Sequence, residues 1–422
     1  MRARWLVLAD DLTGAADCAI AFGRRGRAAA VTWGETWNTA TADHDVPVLS
    51  YDADSRGLAA KAAAERHAAL LARLHGPDRR LFKKIDSTLR GQPAAETAAL
   101  MAHLRARTGA AFGVFAPAFP GTGRTTVDGR VLVGGHPLEE AEVWRRDHSY
   151  ASAELGAVLA GAGISAHGLT LPTVRGDGLG SALAEIAARG GVIAVCDAQT
   201  DDDLRRIARA SLAATASAFF VGSAGLAHAL AEAEAEIEPS APPEPVRIAP
   251  DGRGTLIVVG SLAAASRAGA RKLAAGGDVA HLTVTPETLL GDPAGRTALA
   301  ARVAARLAAS GDALVEITMP AEPDMSLGPR LAAALAEALA PVADGIGALA
   351  ATGGETAAAL LARLGIHGIR LADEIEPGVS LGLTLGRLSV PIATKAGAFG
   401  DADSLTRIRD RLHRARTEGS LT

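Results

Sequence analysis

Short uninterrupted apolar runs recur along the chain, separated by longer alanine-rich runs that carry charges at helical spacing. WLVLA precedes AADCAIAFGRRG, VPVLSYD precedes GLAAKAAAERHAALLARLH, LFKKID precedes AAETAALMAHLRART, and FGVFAPA follows. A brief, fully apolar run suits a strand covered on both faces, whereas one apolar stripe in a longer polar run suits a helix. The alternation predicts an α/β fold with largely parallel, doubly wound sheets. It continues through GVIAVCDA, DDLRRIARASLAAT and AFFVGSAGLAHALAEAEAEIE.

The rhythm breaks at EIEPSAPPEPVRIAPDG, where Pro239, Pro242, Pro243, Pro245 and Pro250 oppose both helix and central strand. Beyond it the pattern restarts with TLIVVGS and runs through VAHLTVT, ALVEIT, IGALAATGGETAAALLARLG and PIATK to a terminal helix, SLTRIRDRLHRAR. The expected division is a first α/β domain over 1–236, a proline-rich linker over 237–252 and a second α/β domain over 253–422. The expected ligand site is the cleft between two such domains.

Composition acts mainly by exclusion. The 422 residues carry 43 basic and 47 acidic side chains, a net charge of -4, so no basic field is available for a nucleic acid backbone. Aromatics are only 3%, too few for base-stacking platforms. The first apolar run ends at Asp10 after about five residues, shorter than a signal core, and no run approaches the ~20 residues of a membrane span. Two cysteines, Cys18 and Cys196, cannot build a disulfide framework, which suits a reducing cytoplasm. The expected partners are small molecules, with neither nucleic acid nor membrane, and a homodimer is left open as the assembly.

Lysine is scarce in this arginine-rich chain, occurring only at 61, 83, 84, 272 and 395, yet Lys83, Lys84 and Lys395 all end apolar runs. A compact ammonium there suits a phosphate or carboxylate. In ADDLTGA, Asp10 and Asp11 follow a strand directly; such carboxylates can take a hydroxyl proton, hold Mg²⁺ through water, or merely cap the next helix. In LFKKIDSTLRGQPAAE, Lys84, Asp86, Ser87, Thr88 and Arg90 fall within a few residues, a mixture that packing alone explains poorly. FAPAFPGTGRTTVDGRVLVGG lacks the spacing of a phosphate loop and suits a hairpin around Val127 to Gly134. His148, in a polar run, receives no catalytic role.

The second half carries turns suited to phosphates. Gly260, Ser261 and Ser266 follow one strand; Thr352, Gly353 and Gly354 end another, with a helix starting near Glu355; Lys395, Gly397 and Gly400 follow a third. Adjacent glycines let backbone approach a pyrophosphate, and a helix N-terminus supplies partial positive charge. The domain reads as a nucleotide binder of neither P-loop nor dinucleotide-fingerprint type.

The ordered set ADDLTGA, KKIDSTLRG, GTGRTTVDGR, GS with Ser266, ATGGET and TKAGAFG resembles the four-carbon acid sugar kinase family, formerly a domain of unknown function, over nearly the whole chain. The resemblance implies an acid-sugar-binding N-terminal domain, a nucleotide-binding C-terminal domain, and Mg-ATP-dependent phosphorylation of the C4 hydroxyl of a tetronate. YDADSRG and KKIDSTLRG are more similar to the D-threonate and D-erythronate kinases than to the 3-oxo-tetronate branch, which resembles KSR and FDST there. By motif, substrate contacts fall on Asp11, Ser55, Arg56, Lys84, Ile85, Asp86 and Ser87, with Asp10 beside them. ATP contacts fall on Ser266, Thr352, Gly353, Gly354, Glu355 and Gly397, with Lys395.

Under this reading Arg56 and Lys84 clamp the substrate carboxylate, Asp11 or Asp86 accepts the hydroxyl proton, and closure about the linker excludes water. Where the family tends to have Gly-Gly, this chain has Gly397-Ala398, and the added methyl can restrict backbone approach. A nicotinamide-dependent dehydrogenase lacks its fingerprint here, and a non-catalytic sensor would bind without forming ADP.

Overall fold

The computed structural model describes residues 3–34, 46–146, 148–214, 218–239, 246–320, 324–397 and 399–421. The chain divides into two compact units, Met1–Ala28 with Asp45–Pro242, and Ala29–His44 with Pro243–Thr422.

In chain order the strands are β1 (Arg4–Ala9), β2 (Ala29–Trp33), β3 (Val48–Asp52), β4 (Arg79–Lys84), β5 (Phe112–Ala116), β6 (Arg124–Val127), β7 (Arg130–Val133), β8 (His136–Pro137), β9 (Ser165–Leu169), β10 (Val192–Cys196) and β11 (Ala218–Gly222). They are followed by β12 (Thr255–Val259), β13 (Val279–Val284), β14 (Asp312–Ile317), β15 (Ala348–Thr352), β16 (Ile366–Glu376), β17 (Val379–Gly386) and β18 (Pro391–Lys395). Three helices matter most below: α1 (Leu12–Gly23), α2 (Ala60–Leu74) and α3 (Pro93–Thr108).

The first unit is built on strands in the order β3-β1-β4-β11-β5-β10-β9. Every one of these pairings is parallel. Parallel strands require crossovers, and the alanine-rich amphipathic runs supply them as helices. Its core is aromatic at the centre, where Trp5 packs on Phe22 and Phe220 with ring centroids 5.0 and 5.7 Å apart. The GTGRTT segment forms the antiparallel sheet β6-β7-β8, the expected hairpin.

In the second unit the strand order is β13-β14-β12-β15-β18-β17-β16-β2. Strands β13, β14, β12, β15 and β18 are parallel, and β17, β16 and β2 continue antiparallel. This antiparallel edge departs from the expected alternation. Pro377 and Gly378, the latter at φ +78, join β16 to β17 in a hairpin, which needs no crossover helix.

Strand β2 also departs from the sequence expectation, which left Ala29–Trp33 inside the first domain. It pairs with β16, Val31 opposite Ile369, and Thr32 donates its hydroxyl to the His367 carbonyl at 2.8 Å. The expected linker, 237–252, is only partly extended chain. The helix Ala224–Ile237 runs to its start, and its last residues dock on the chain end, Ile248 N–H to Gly419 O and Asp251 N–H to Arg416 O. Pro242, Pro243 and Pro245 lie outside the described residues. Among the described residues no helix is long and apolar enough to cross a membrane.

Phe220 is fully buried against Trp5. Phe220→Ala should lower unfolding stability by about 3–5 kcal/mol, read as a drop in the denaturant midpoint with little change in slope.

Candidate functional site

Strand register assembles the first cluster. In the order β3-β1-β4, Ala9 stands opposite Asp52 on one side and Lys84 on the other, so the segments leaving three neighbouring strands meet at one sheet end. Carboxyl ends of parallel strands are where loops and helix N-termini face a ligand. Here they bring Asp10 and Asp11, Ser55 and Arg56, and the run Lys84 to Arg90 together.

Arg56 is the hub. Its Nε donates to Asp10 at 2.7 Å, Nη1 and Nη2 make a fork on Asp11 at 2.9 Å each, and Nη2 lies 4.0 Å from Asp86. Asp11 is also the N-cap of α1, accepting from Gly14 N–H at 3.2 Å and from the Thr13 hydroxyl at 2.8 Å. The capping and functional readings of Asp11 therefore coexist on one carboxylate. Lys84 Nζ lies 3.7 Å from Asp11 and 3.9 Å from Asp10, and no hydrogen bond to it occurs among the described residues. Gly14 makes room for it, because a methyl there would stand 2.3 Å from Nζ.

Asp86 is differently held. Arg90 grips it with a fork at 2.8 and 3.0 Å, and the backbone N–H and hydroxyl of Thr88 donate to it as well. The loop buys this geometry with Leu89 at φ +59, a left-handed conformation unusual for a branched side chain. Burial works against ionisation of Asp86, yet Arg90, Arg56 and Lys84 hold it well below the usual carboxylate range. Burial likewise opposes ionisation of Asp10, and Arg56, Lys84 and Lys83 outweigh it. Burial draws Lys84 down, but Asp11 and Asp10 keep it above the ordinary lysine value.

Arg124, from β6, is drawn below the usual guanidinium value by burial, with its charge felt by Asp86 and Arg90. Asp52, at the end of β3, is pushed well above the carboxylate range by burial and by nearby carboxylates. Arg56, Lys84, Arg90 and Arg124 thus stand among the carboxyl groups of Asp10, Asp11, Asp52 and Asp86. The unused ammonium donors of Lys84 suit an anionic ligand. A third cation does not suit Asp10 and Asp11: with Arg56 and Lys84 within 4 Å they do not fit the water-mediated Mg²⁺ role.

Other expected contact residues turn inward. Ser55 is fully buried and donates its hydroxyl to Glu96 at 2.5 Å, and Ile85 is a core side chain whose N–H donates to Gly222 O. Ser87 is half-buried, with no partner for its hydroxyl among the described residues. Sequence reasoning missed Glu96, which lies on the buried stripe of α3 with Pro93, Thr97 and Leu100. A glutamate on an otherwise apolar stripe was the available signal.

A second cluster forms in the other unit by the same logic. Register sets Val259 opposite Thr352 and Thr352 opposite Lys395, so the turns after β12, β15 and β18 are neighbours. They pack around Ser261. A methyl on Gly397 would meet Ser261 Oγ at 2.2 Å, one on Gly353 would meet Ser261 at 3.5 Å, and Gly353 itself holds φ +85. The helices that follow, Ala264–Ala275 and Gly354–Arg363, have no side-chain cap, which leaves first-turn N–H groups for an anion. Glu355 is exposed in that first turn, and the buried Thr352 hydroxyl has no hydrogen-bond partner among the described residues.

Lys395 is buried, donating to Ser266 Oγ at 3.2 Å, Ala396 O at 3.2 Å and Gly397 O at 3.4 Å, while Ser266 donates to Gly397 O at 3.0 Å. Ser266 and Lys395 therefore brace the loop. Burial pulls the Lys395 ammonium down to about 8, with Glu376 and Asp401 opposing. Ala398 lies outside the described residues.

Comparison with known proteins gives this geometry a family. The chain matches the Sugar-binding N-terminal domain over residues 5–230 and the Nucleotide-binding C-terminal domain over residues 256–405. A D-threonate kinase of Cupriavidus necator is 44% identical over 95% of this chain and 96% of its own. A 3-oxo-tetronate kinase of Methylobacterium radiotolerans is 32% identical over 96% of this chain and 98% of its own. A crystal structure from Salmonella typhimurium LT2 shares the fold with TM-score 0.79 at 22% identity, covering 98% of this chain and 100% of that one. With both domains matched and relatives aligned along nearly their full lengths, the chain belongs to the four-carbon acid sugar kinase family.

Proposed function

We propose that the protein transfers the γ-phosphoryl group of ATP to the C4 hydroxyl of a four-carbon sugar acid, with D-threonate as the preferred substrate, giving the 4-phosphate. The observation that carries this reading is the Lys84 ammonium, with unused donors, beside the Arg56-bridged Asp10 and Asp11 carboxylates. Such a site offers positive charge for a carboxylate and oxygen acceptors for hydroxyls. D-threonate is favoured because the 44% identical relative bears that name.

Arg56 differs from the simple clamp expected of it. Three of its five N–H groups are engaged by Asp10 and Asp11, so its main role is to fix those carboxylates, while Lys84 meets the substrate carboxylate. Asp11 is the better proton acceptor of the two aspartates considered. Its side chain is 18% exposed, whereas Asp86 is 12% exposed, gripped by Arg90 and Thr88 and held strongly ionised, which weakens it as a base. Phosphoryl transfer asks little of a base beyond this, since positioning and charge neutralisation dominate.

ATP phosphates would lie on the uncapped helix N-termini after β12 and β15, with Gly353 and Gly397 permitting close approach. Mg²⁺ binds through one or two carboxylates together with substrate phosphates, and the exposed Glu355 carboxylate at that turn fits such a role. When bound, the ion would offset phosphate charge. Both cysteines are free and buried, which supports a reducing compartment, the cytoplasm.

The direct test is ADP release with Mg-ATP and D-threonate, D-erythronate or 3-oxo-tetronates, with identification of the product. D-threonate should be turned over with the highest kcat/KM; failure of every tetronate would remove the substrate reading. Asp11→Asn should lower kcat by roughly 10²-fold or more while leaving the KM for ATP nearly unchanged, and a near-normal kcat would rule Asp11 out as the acceptor. Loss of the Lys395 proton removes positive charge from the nucleotide loops, so kcat/KM for ATP should fall as pH rises through about 8. Lys395→Met should have a lower kcat/KM for ATP and no such limb; an unchanged profile would refute the assignment.

A further inference from the structure

Behind the acid-sugar cluster lies a second, fully buried polar network centred on Glu96, which the motifs do not assign. Glu96, on α3 and 1% exposed, receives the Ser55 hydroxyl at 2.5 Å and pairs with Lys83 Nζ at 2.8 Å. Lys83 also donates to the carbonyl of Lys84 at 2.8 Å. His67, from α2, places Nδ1 3.8 Å from the same carboxylate while donating to Ala63 O. One carboxylate therefore reaches both segments that deliver Arg56 and Lys84.

Each tie acts on a neighbour that faces the ligand. The N–H groups of Ser55 and Arg56 both donate to Asp10 O, at 3.1 and 3.2 Å, so the Ser55 turn is held from below by Glu96 and from the side by the β1 end. Arg56 leaves that turn toward Asp10 and Asp11, while Lys84 leaves the strand next to Lys83. Geometry of this kind sets where two positive charges stand without itself touching a ligand.

We propose that Glu96 is a positioning residue for sugar-acid binding, which it serves by fixing the Ser55-Arg56 turn and the Lys83-Lys84 strand end in one register. The proposal rests on the reading of this cluster as the acid-sugar site. Removing Glu96 alone strands the buried Lys83 ammonium, and the resulting destabilisation would mask any effect on binding.

Two variants avoid that problem. Ser55→Ala deletes one tie and leaves the Lys83–Glu96 pair, and the double variant Lys83→Met with Glu96→Leu removes both charges at similar volume. Both should melt close to the wild type, yet show a KM for D-threonate raised roughly tenfold, with the KM for ATP within about twofold. A purely structural role predicts changes in melting temperature with no selective shift of one KM, and that result would overturn the proposal. If the wild type turns over no tetronate, the substrate reading fails on its own. The positioning claim is then decided by the crystal structure of Ser55→Ala: Arg56 displaced from Asp10 and Asp11 upholds it, and an unmoved Arg56 refutes it.

Discussion

A guanidinium that cannot be left uncompensated organises the first unit. Arg56 is only 22% exposed and reaches three carboxylates from two other segments, so the ends of β1, β3 and β4 must stay in register for its charge to be met. Removing one partner from such a cluster leaves a buried charge unpaired, which costs far more than a surface ion pair contributes. The same logic runs one layer deeper, where Lys83 and Glu96 compensate each other and Lys83 holds Glu96 down to about 2 against burial. Two stacked ionic layers thus hold one sheet end in a single arrangement and leave Lys84 with donors to spare.

The two units would meet the proposed anionic ligands by different means. In the first, side chains do it: a carboxylate flanked by hydroxyls needs both donors and acceptors, and Lys84, Asp10 and Asp11 offer both. In the second, backbone would do it. Gly397 leaves room for the Ser261 hydroxyl, Gly353 takes a positive φ, and the helix starts carry no side-chain cap. Phosphates need only donors and positive potential, which backbone supplies without side-chain entropy.

Much of this was legible in the chain. Apolar runs ending in Asp10, Lys84, Thr352 and Lys395 marked strand ends, and strand ends in a parallel sheet are ligand positions. Gly353-Gly354 marked a turn that needs positive φ, and Gly353 has it. What stayed hidden were roles decided by burial. Ser55 and Glu96 look like an ordinary loop serine and an ordinary helix glutamate until α3 packs them together 41 positions apart. Nor does the sequence say which arginine holds which carboxylate: Arg56 forks onto Asp11 from another segment, whereas Arg90 folds back on Asp86 from four positions away.

By itself the sequence determined the α/β class, the two-part rhythm and the polar segments that follow particular strands, because hydrophobic period and turn residues are local properties. Tertiary structure decided which strands are neighbours, and therefore which of those ends share a cluster. β2 shows the difference: its apolar run specifies a strand, yet nothing local specifies that its partner is β16, more than three hundred positions away. Strand pairing and charge compensation depend on distances between residues remote in the chain, and those distances exist only once it has folded.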